Sequence, residues 1–282
     1  MKKKFQEVDR RKRRRPGHLF TDAAEDRMYA QHTVAPPSAE QQINSASYRL
    51  AFDDIDYLLA DEQRPLRLQL ELAKPEAVMK AHGIEHTVVI FGSARTPQDS
   101  PYYQMSRELA AMICNRSGCG DCPDLYVVTG GGPGIMEAAN RGASEAGFES
   151  IGLNIVLPHE QYPNSYITPA LCFRFHYFAM RKMHFLLRAR AIVVFPGGYG
   201  TMDELFETLT LVQTGKIEPL PILLFGREYW QRLINFDVFI EEGMASAEDL
   251  EWFEFVDTVE EAWEIIRLSM SDDPGDEQDS PD

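Results

Sequence analysis

The sequence is short of several features that would assign a protein to a compartment or a class. It has only four cysteines in 282 residues, too few for the disulfide framework of a small secreted protein. No apolar run approaches the roughly 20 residues of a transmembrane helix, and no apolar segment follows the basic start of the chain as in a signal peptide. We therefore expect a cytoplasmic globular protein.

Basic residues are scarce everywhere except at the start of the chain. The formal net charge is −16, with 28 Lys and Arg against 44 Asp and Glu. Residues 1–15 contain nine of these basic residues and two acids, so the rest of the chain carries −23. A surface of this sign repels nucleic acid, and we expect neither a nucleic-acid nor a membrane partner. Residues 1–40 are predicted to be a disordered basic arm and linker, and residues 271–282 a disordered acidic tail.

Three of the cysteines are close together in the sequence. Cys114, Cys119 and Cys122 form C-x4-C-x2-C, which resembles part of an iron–sulfur or zinc set, and "CGDC" alone resembles a redox pair. No His or fourth cysteine lies near them, since Cys172 is far along the chain. Free thiols are the default in a reducing compartment, and we expect no metal and no cofactor.

The hydrophobic pattern changes near residue 84. Before it, residues 41–83 have apolar spacing that predicts two or three accessory helices, broken near Pro65 and Pro75. After it, short apolar runs alternate with segments of helical spacing, which is typical of a parallel sheet covered on both faces. The predicted strands lie within residues 86–92, 125–129, 150–158, 191–195 and 220–226, and predicted helical segments include 102–114, 175–190 and 227–243. The sequence therefore predicts an α/β fold, a doubly wound, Rossmann-like parallel sheet over residues 84–270 with an N-terminal helical extension.

Two glycine-rich turns each join a predicted strand to a helix. They are "TGGGPGIME" at residues 129–137 and "PGGYGTMDE" at residues 196–204. Such a turn lets backbone N–H groups and the positive end of a helix approach an anion, at the sheet edge where ligands of this fold bind. Neither turn matches G-x-G-x-x-G, and no G-K-[ST] occurs. A mononucleotide or sugar phosphate is therefore favoured over a nicotinamide cofactor or ATP hydrolysis.

Two acids follow the second glycine turn, where we expect the first turn of a helix. A carboxylate there ordinarily stabilises the helix dipole, and this interpretation suits Asp203. Glu204 would lie beside the proposed phosphate. There it could activate water or stabilise a developing sugar cation, as carboxylates do in glycosidic cleavage.

These motifs resemble one family. "PGGYGTMDE" together with "GGGPGIMEAANRGA" (130–143) and "MRK" (180–182) is similar to the Lonely Guy family, phosphoribohydrolases long mislabelled as lysine decarboxylases, which split nucleoside 5′-monophosphates into free base and ribose 5-phosphate. The resemblance covers about residues 86–242 and implies a homodimer or higher homo-oligomer. It places the catalytic pair on Arg181 and Glu204. The implied phosphate-binding residues are Gly131, Gly132, Gly134, Gly197, Gly198, Gly200 and Thr201, and further candidates are Ser93, Lys182 and Asp203.

The expected substrate follows from departures from the plant-type pattern. Cytokinin-activating members have M-H-x-R-K, whereas this chain reads "FAMRK" at residues 178–182, and Asp203 replaces a frequent glutamate. AMP is therefore our first expectation, with a cytokinin riboside 5′-monophosphate as the alternative. A nucleotide sensor without activity, a DNA-processing protein and a pyridoxal-dependent lysine decarboxylase are the other functions considered. The last would need a Schiff-base lysine, and Lys182 adjoins Arg181 in a hydrolase-like motif.

Overall fold

A computed structural model describes residues 23–24, 27–28, 37–118, 123–157 and 162–271. Most of the basic arm, Cys119, Cys122 and residues 272–282 lie outside this set, so the expectations for the arm, the tail and the cysteine cluster stay predictions. The chain divides into two compact units, residues 1–67 and 68–282. The domain boundaries expected near residues 40, 83 and 270 also stay predictions.

The first unit is built from short helical segments. Helices α1 (Glu40–Ile43) and α2 (Ile55–Leu59) precede α3 (Arg64–Ala81), which continues into the second unit. The Asp54 side chain accepts a hydrogen bond from Tyr57 N and caps α2. Short 3₁₀ turns occur at Pro37–Ala39, Ala46–Tyr48, Ala51–Asp53 and Asp61–Gln63.

The second unit contains one sheet of seven parallel strands among the described residues. The strands are β1 (His86–Phe91), β2 (Leu125–Thr129), β3 (Ser150–Ile155), β4 (Cys172–Phe175), β5 (Ala189–Val194), β6 (Ile222–Phe225) and β7 (Glu254–Val256). Their spatial order is β4-β3-β2-β1-β5-β6-β7, and every neighbouring pair is parallel. This arrangement confirms the predicted Rossmann-like fold.

Helices cover both faces of the sheet because side chains on both faces are apolar. In β1, Val88 and Ile90 belong to one hydrophobic cluster, while Val89 and Phe91 belong to the other, as alternation along a strand requires. The helices of this unit are α4 (Pro101–Arg116), α5 (Ile135–Glu145), α6 (Phe178–Leu186), α7 (Tyr199–Gln213), α8 (Arg227–Leu233), α9 (Asp237–Glu241) and α10 (Val259–Ser271), and 3₁₀ turns lie at Pro169–Leu171 and Ala247–Trp252. Residues of α4, α5 and α10 bury the first face, and residues of α3, α6, α7 and α8 bury the second.

Two of the strands were not predicted from the sequence. Strands β4 and β7 have four and three residues and stand at the two edges of the sheet. They carry polar, exposed side chains such as Arg174 and Glu254, so no continuous apolar run marks them. The segments predicted as helical at 175–190 and 227–243 are also shorter or broken, because strand β5 already starts at Ala189 and residues 234–236 interrupt the second segment.

The expected helix break at Pro75 is wrong. Helix α3 runs through Pro75, which is buried, while Pro65 lies in the first turn where its missing N–H has no intrahelical partner to lose. Proline at position 75 cannot donate to the carbonyl of Glu71, one turn earlier. The His184 side chain takes that place, with its Nε2 3.0 Å from the Glu71 oxygen.

The topology places a crevice beside β1. The chain moves outward from β1 to β4 and then returns to β5 on the other side of β1, and ligands of open α/β sheets bind where the strand order reverses in this way. Hydrogen bonds join the end of β1 and the loop after it to the segment after β5. Phe195 N donates to Phe91 O (2.9 Å), and Ser93 N donates to Pro196 O (3.0 Å). The second glycine turn therefore opens directly at the reversal point.

Candidate functional site

A cavity of about 710 Å³ lies at this reversal point, within the usual size range of small-molecule sites. It collects residues from the ends of β1, β2 and β5 and from α6, α7 and α8. Its wall includes eight of the predicted site residues: Ser93, Arg181, Gly197, Gly198, Gly200, Thr201, Asp203 and Glu204.

Other wall residues were not predicted from the sequence. They are Phe91, Gly92, Ala94, Arg95, Gly130, Met136, Phe178, Tyr199, Met202, Tyr229 and Leu233. Conversely, four predicted residues do not line the cavity: Gly131, Gly132, Gly134 and Lys182. The apolar wall residues are scattered along the chain, and only the order of the strands reveals that they meet.

Arg181 and Glu204 lie side by side in the wall. Arg181 Nη1 is 3.7 Å from Glu204 Oε1, and the two side chains are only 13% and 9% exposed. Arg181 Nε also donates to the carbonyl of Leu153 (2.6 Å), and its guanidinium lies over the Phe185 ring at 5.0 Å. The predicted pair is thus a buried ion pair whose cation is fixed on three sides.

Burial dominates the electrostatics of this pair. It raises the pKa of Glu204 to about 7, against the charges of Arg181 and Lys182, which lower it. Burial also lowers the pKa of Arg181, and the neighbouring Glu204 opposes this shift. An arginine nevertheless stays protonated in proteins. The site therefore contains a fixed cation and a carboxyl group that changes its charge near neutral pH.

The second glycine turn leaves open space at the start of α7. Gly198 precedes the first helical residue, Tyr199, and a Cβ at Gly198 or Gly200 would meet no atom within 4 Å. Gly197 is constrained instead, because a Cβ there would collide with the side chain of Thr201. The hydroxyl of Tyr229 donates to the Gly197 carbonyl (2.5 Å). The turn is held from behind and is open towards the cavity.

The sequence predicted that the two acids after the second glycine turn lie in the first turn of a helix, and this prediction is wrong. Helix α7 begins at Tyr199 and has no acid in its first turn, so Asp203 and Glu204 belong to the second turn. Asp203 forms an ion pair with Lys182 and does not stabilise the helix dipole, since its Oδ2 lies 2.8 Å from Lys182 Nζ. The same ammonium lies 2.9 Å from Glu207 Oε2. Lys182 therefore lies outside the cavity wall, in contact with two carboxylates.

The first glycine turn is buried and serves as a support. Gly131 and Gly134 have φ of 74° and 67°, which only glycine adopts readily. Gly134 also approaches the backbone of Ser93 and Ala94 so closely that a Cβ would collide with it. The buried turn packs against the loop after β1, and the predicted phosphate-binding role of its glycines stays a prediction.

Hydrogen bonds from side-chain amides hold the first glycine turn in place. Asn164 Nδ2 donates to Gly132 O (3.1 Å) and to Asn140 Oδ1 (3.0 Å), and Thr129 Oγ1 donates to the same Asn140 oxygen (2.6 Å). Gly130 instead reaches the cavity, and a Cβ there would lie 2.5 Å from Arg181 Nη2. The missing side chain at position 130 therefore makes room for the guanidinium.

The histidines and cysteines considered as candidates, where the structure describes them, do not line the cavity. His184 is buried and bonded to the Glu71 carbonyl, and neither it nor His176 lines the cavity. Cys114 is buried, which raises the pKa of its thiol to about 12, and Cys172 is also a free thiol. Within the described ranges, no group of three or more His, Cys, Asp or Glu side chains is placed to hold a metal ion. None of the helices in the described part of the chain is long and apolar enough to cross a bilayer.

A family model and a set of solved structures match parts of this chain. A family model described as "Possible lysine decarboxylase" matches residues 136–266. Among solved structures, the molybdenum cofactor carrier protein of Chlamydomonas reinhardtii aligns with a TM-score of 0.45 and 20% identity, over 66% of this chain and 99% of that one.

Curated relatives are named cytokinin riboside 5′-monophosphate phosphoribohydrolases. One from Arabidopsis thaliana is 26% identical over 164 residues, which are 56% of this chain and 71% of that protein. A second from the same plant is 30% identical over 128 residues, 44% of this chain and 58% of that protein. A third is 40% identical over 68 residues, 23% and 32% of the two chains. These matches confirm the resemblance carried by the glycine turns and "MRK": over the matched residues, the chain is similar to the Lonely Guy phosphoribohydrolases.

Proposed function

We propose that the protein hydrolyses the N-glycosidic bond of nucleoside 5′-monophosphates and releases a free base and ribose 5-phosphate. The observation that carries this proposal is the buried Arg181–Glu204 pair, which shares one cavity with an open, glycine-lined helix start. The first feature suits a developing sugar cation and the second suits a phosphate. A nucleoside monophosphate presents both groups on one molecule.

The 5′-phosphate is assigned to the start of α7. The first N–H groups of a helix have no intrahelical acceptor and attract an anion, and the space around Gly198 and Gly200 is open. Thr201 adds a hydroxyl to the same wall, and Arg95 adds a guanidinium. This guanidinium shares the cavity wall with Asp203 and Glu204, and its charge offsets the repulsion that a dianion would meet from them.

Glu204 is assigned to the anomeric carbon. Cleavage of the bond from this carbon to the base leaves the bonding electrons on the base and positive charge on the ribose. An ionised carboxylate stabilises that charge more strongly in the transition state than in the ground state. Water then adds to the carbon and yields its proton to Glu204, while the departing base takes a proton from solvent. Arg181 favours the ionised form of the carboxylate and orients it.

Apolar side chains in the same wall suit the flat base. Met136, Phe178 and Leu233 line the cavity, and an aromatic ring can stack on a base. AMP remains our first substrate because of the "FAMRK" departure, whereas the names of the relatives favour cytokinin riboside 5′-monophosphates. Both are adenine nucleotides with the same ribose phosphate, so the assigned roles of Arg181 and Glu204 hold for either.

The structure gives no support to lysine decarboxylation. A Schiff base needs a deprotonated lysine that faces the ligand. Lys182 lies outside the cavity wall and within 3 Å of two carboxylate oxygens, and these ion pairs favour its charged form. A protein that senses nucleotides without cleaving them remains the competing function, because the same cavity would serve it.

The first prediction is that the wild-type protein releases adenine and ribose 5-phosphate from AMP. Glu204→Gln keeps the shape of the side chain but lacks the negative charge, so we expect turnover to fall about 10²- to 10⁴-fold. Chromatography of both products measures this. Glu207→Gln is the matched control, because Glu207 lies one turn further along the same helix and outside the cavity wall. Binding of AMP without release of base by the wild type would instead support a sensor.

The second prediction concerns pH. Since the proposed active form is the ionised carboxylate and the pKa of Glu204 is raised to about 7, kcat/KM should rise from pH 6 to a plateau above about pH 8. Lys182→Gln removes a charge that lowers this pKa, so the rising limb should move to higher pH. The substrate's own phosphate titration is the same for both proteins and cannot cause the difference. A fall in kcat/KM over this range would mean that protonated Glu204 is the active form.

The third prediction tests the phosphate assignment. Gly200→Ala adds a methyl group in open space on the cavity wall and a better helix former within α7, so the melting temperature should stay level or rise slightly. AMP binding, measured by calorimetry, should weaken. Gly142→Ala is the contrasting variant, because its Cβ would collide with the Arg107 carbonyl far from the cavity wall. It should lower the melting temperature, and unchanged AMP affinity in Gly200→Ala would contradict the assignment.

The fourth prediction concerns the expected homodimer, which we also propose. Large apolar side chains are exposed on α6 and α7: Tyr199 (96% exposed) and Phe178 (50%) line the cavity, and Phe206 (36%) lies outside its wall. Exposed apolar surface of this kind is typical of an interaction surface. Light scattering after size-exclusion chromatography should give twice the monomer mass, and Phe206→Glu should shift it towards the monomer mass. A monomer for the wild type at every concentration would contradict this proposal.

A further inference from the structure

Helix α6 carries Arg181 and needs a partner at its start. Tyr177 is the residue before the first helical residue, Phe178, and no side chain within the helix caps it. Arg181 N donates to the Tyr177 carbonyl at 3.2 Å, so the place of Tyr177 fixes the first turn. The N–H groups at such a helix start require acceptors from elsewhere.

Glu71, on helix α3, supplies acceptors for the two residues that lead into α6. Its Oε1 accepts a hydrogen bond from His176 N (2.8 Å), and its Oε2 accepts one from Tyr177 N (3.1 Å). Both oxygens of one carboxylate are thus directed at consecutive N–H groups, and its negative charge lies at the positive end of α6. The two residues are separated by more than 100 positions in the sequence, so no local motif announces the contact.

The main chain of Glu71 contacts the other end of the same helix. Pro75 leaves the Glu71 carbonyl without its usual helical donor, and His184 Nε2 lies 3.0 Å from that oxygen. A carbonyl can only accept, so Nε2 carries the proton. Glu71 therefore contacts α6 at its start through the side chain and near its end through the main chain. The proline that seemed to break α3 is what frees the second contact.

This double contact bears directly on the guanidinium of Arg181. Arg181 lies in the first turn of α6, and its Nε is 2.6 Å from Leu153 O while its Nη1 is 3.7 Å from Glu204 Oε1. A rotation or shift of α6 would change both distances at once. Misplacement of a catalytic group by about 1 Å can reduce a rate about 10²-fold.

We propose that Glu71 is a positioning residue that sets the place of Arg181, so that helix α3 acts as the outer layer of the active site. This inference rests on the proposed hydrolysis, in which Arg181 orients Glu204. Glu71 lies before the part of the chain that resembles the Lonely Guy family, and before the segment matched by the family model. In this proposal the N-terminal extension contributes to the reaction, because Glu71 positions Arg181.

The test compares three variants in steady-state hydrolysis of AMP and in thermal unfolding. Glu71→Gln keeps one acceptor but cannot accept from both N–H groups, and Glu71→Asp keeps the charge on a shorter side chain. Glu76→Gln is the matched control, because Glu76 is the other acid of α3 and contacts the far end of α6 and the residues after it, through His184 (3.5 Å) and Arg188, but not the start of the helix. The Nε–H signal of Arg181 in a nitrogen-15 NMR spectrum, assigned by its loss in Arg181→Lys, reports the place of the guanidinium without turnover.

We expect Glu71→Gln to lower kcat about 10- to 100-fold with little change in KM, and to move the Arg181 signal. Glu71→Asp should recover part of the lost kcat. Glu76→Gln should keep the wild-type kcat and signal even if it lowers the melting temperature as much. Wild-type kcat in Glu71→Gln, or an equal loss in Glu76→Gln, would overturn the proposal. If Glu71→Gln does not fold, the kcat and Arg181 signal of Glu71→Asp decide in the same way.

Failure of the proposed function gives a different result. In that case the wild type itself releases no base from AMP or from other nucleoside monophosphates, while its Arg181 signal is still observed. The NMR comparison then decides alone. A signal that moves in Glu71→Gln but not in Glu76→Gln supports the positioning role, and a signal that stays in place overturns it.

Discussion

The burial of two opposite charges, Arg181 and Glu204, is the constraint on which the rest of the site depends. Removal of either partner from such a pair leaves an uncompensated buried charge and typically costs about 3–5 kcal/mol. The surroundings hold both groups in place: Gly130 leaves room for the guanidinium, and the Leu153 carbonyl binds its Nε. Burial in turn gives Glu204 a pKa of about 7. A carboxylate that is poorly solvated and tightly placed is a stronger stabiliser of nearby positive charge than one in water.

Helix α7 combines two roles because of its starting point. The helix begins at Tyr199, just after the open glycine turn, and Glu204 follows in its second turn. Since a helix rises about 1.5 Å per residue, Gly200 and Glu204 are separated by about 6 Å along the axis. One rigid element thus presents a phosphate-binding end and a carboxylate at a fixed spacing. The reversal of strand order beside β1 leaves this end uncovered, so a small molecule can reach both groups.

The sequence predicted those parts of the structure that depend on local pattern. Buried apolar runs identified β1, β2 and β5, and the glycine turns identified the loops that follow β2 and β5. Sequence-based prediction failed where tertiary contacts determine the local structure. Glycine is a poor helix former, so the start of α7 before Gly200 was missed. Pro75 continues its helix because it packs in the core and His184 bonds the freed carbonyl. The contact of Glu71 with Tyr177 depends on two elements that only folding brings together.

The most direct test of the central claim is a crystal structure of Glu204→Gln with AMP, in which slow turnover preserves the nucleotide. We expect the phosphate against the N–H groups at the start of α7, the anomeric carbon in contact with residue 204, and Arg181 still bonded to Leu153. A nucleotide bound elsewhere, or bound here with its ribose turned away from residue 204, would contradict the proposed mechanism.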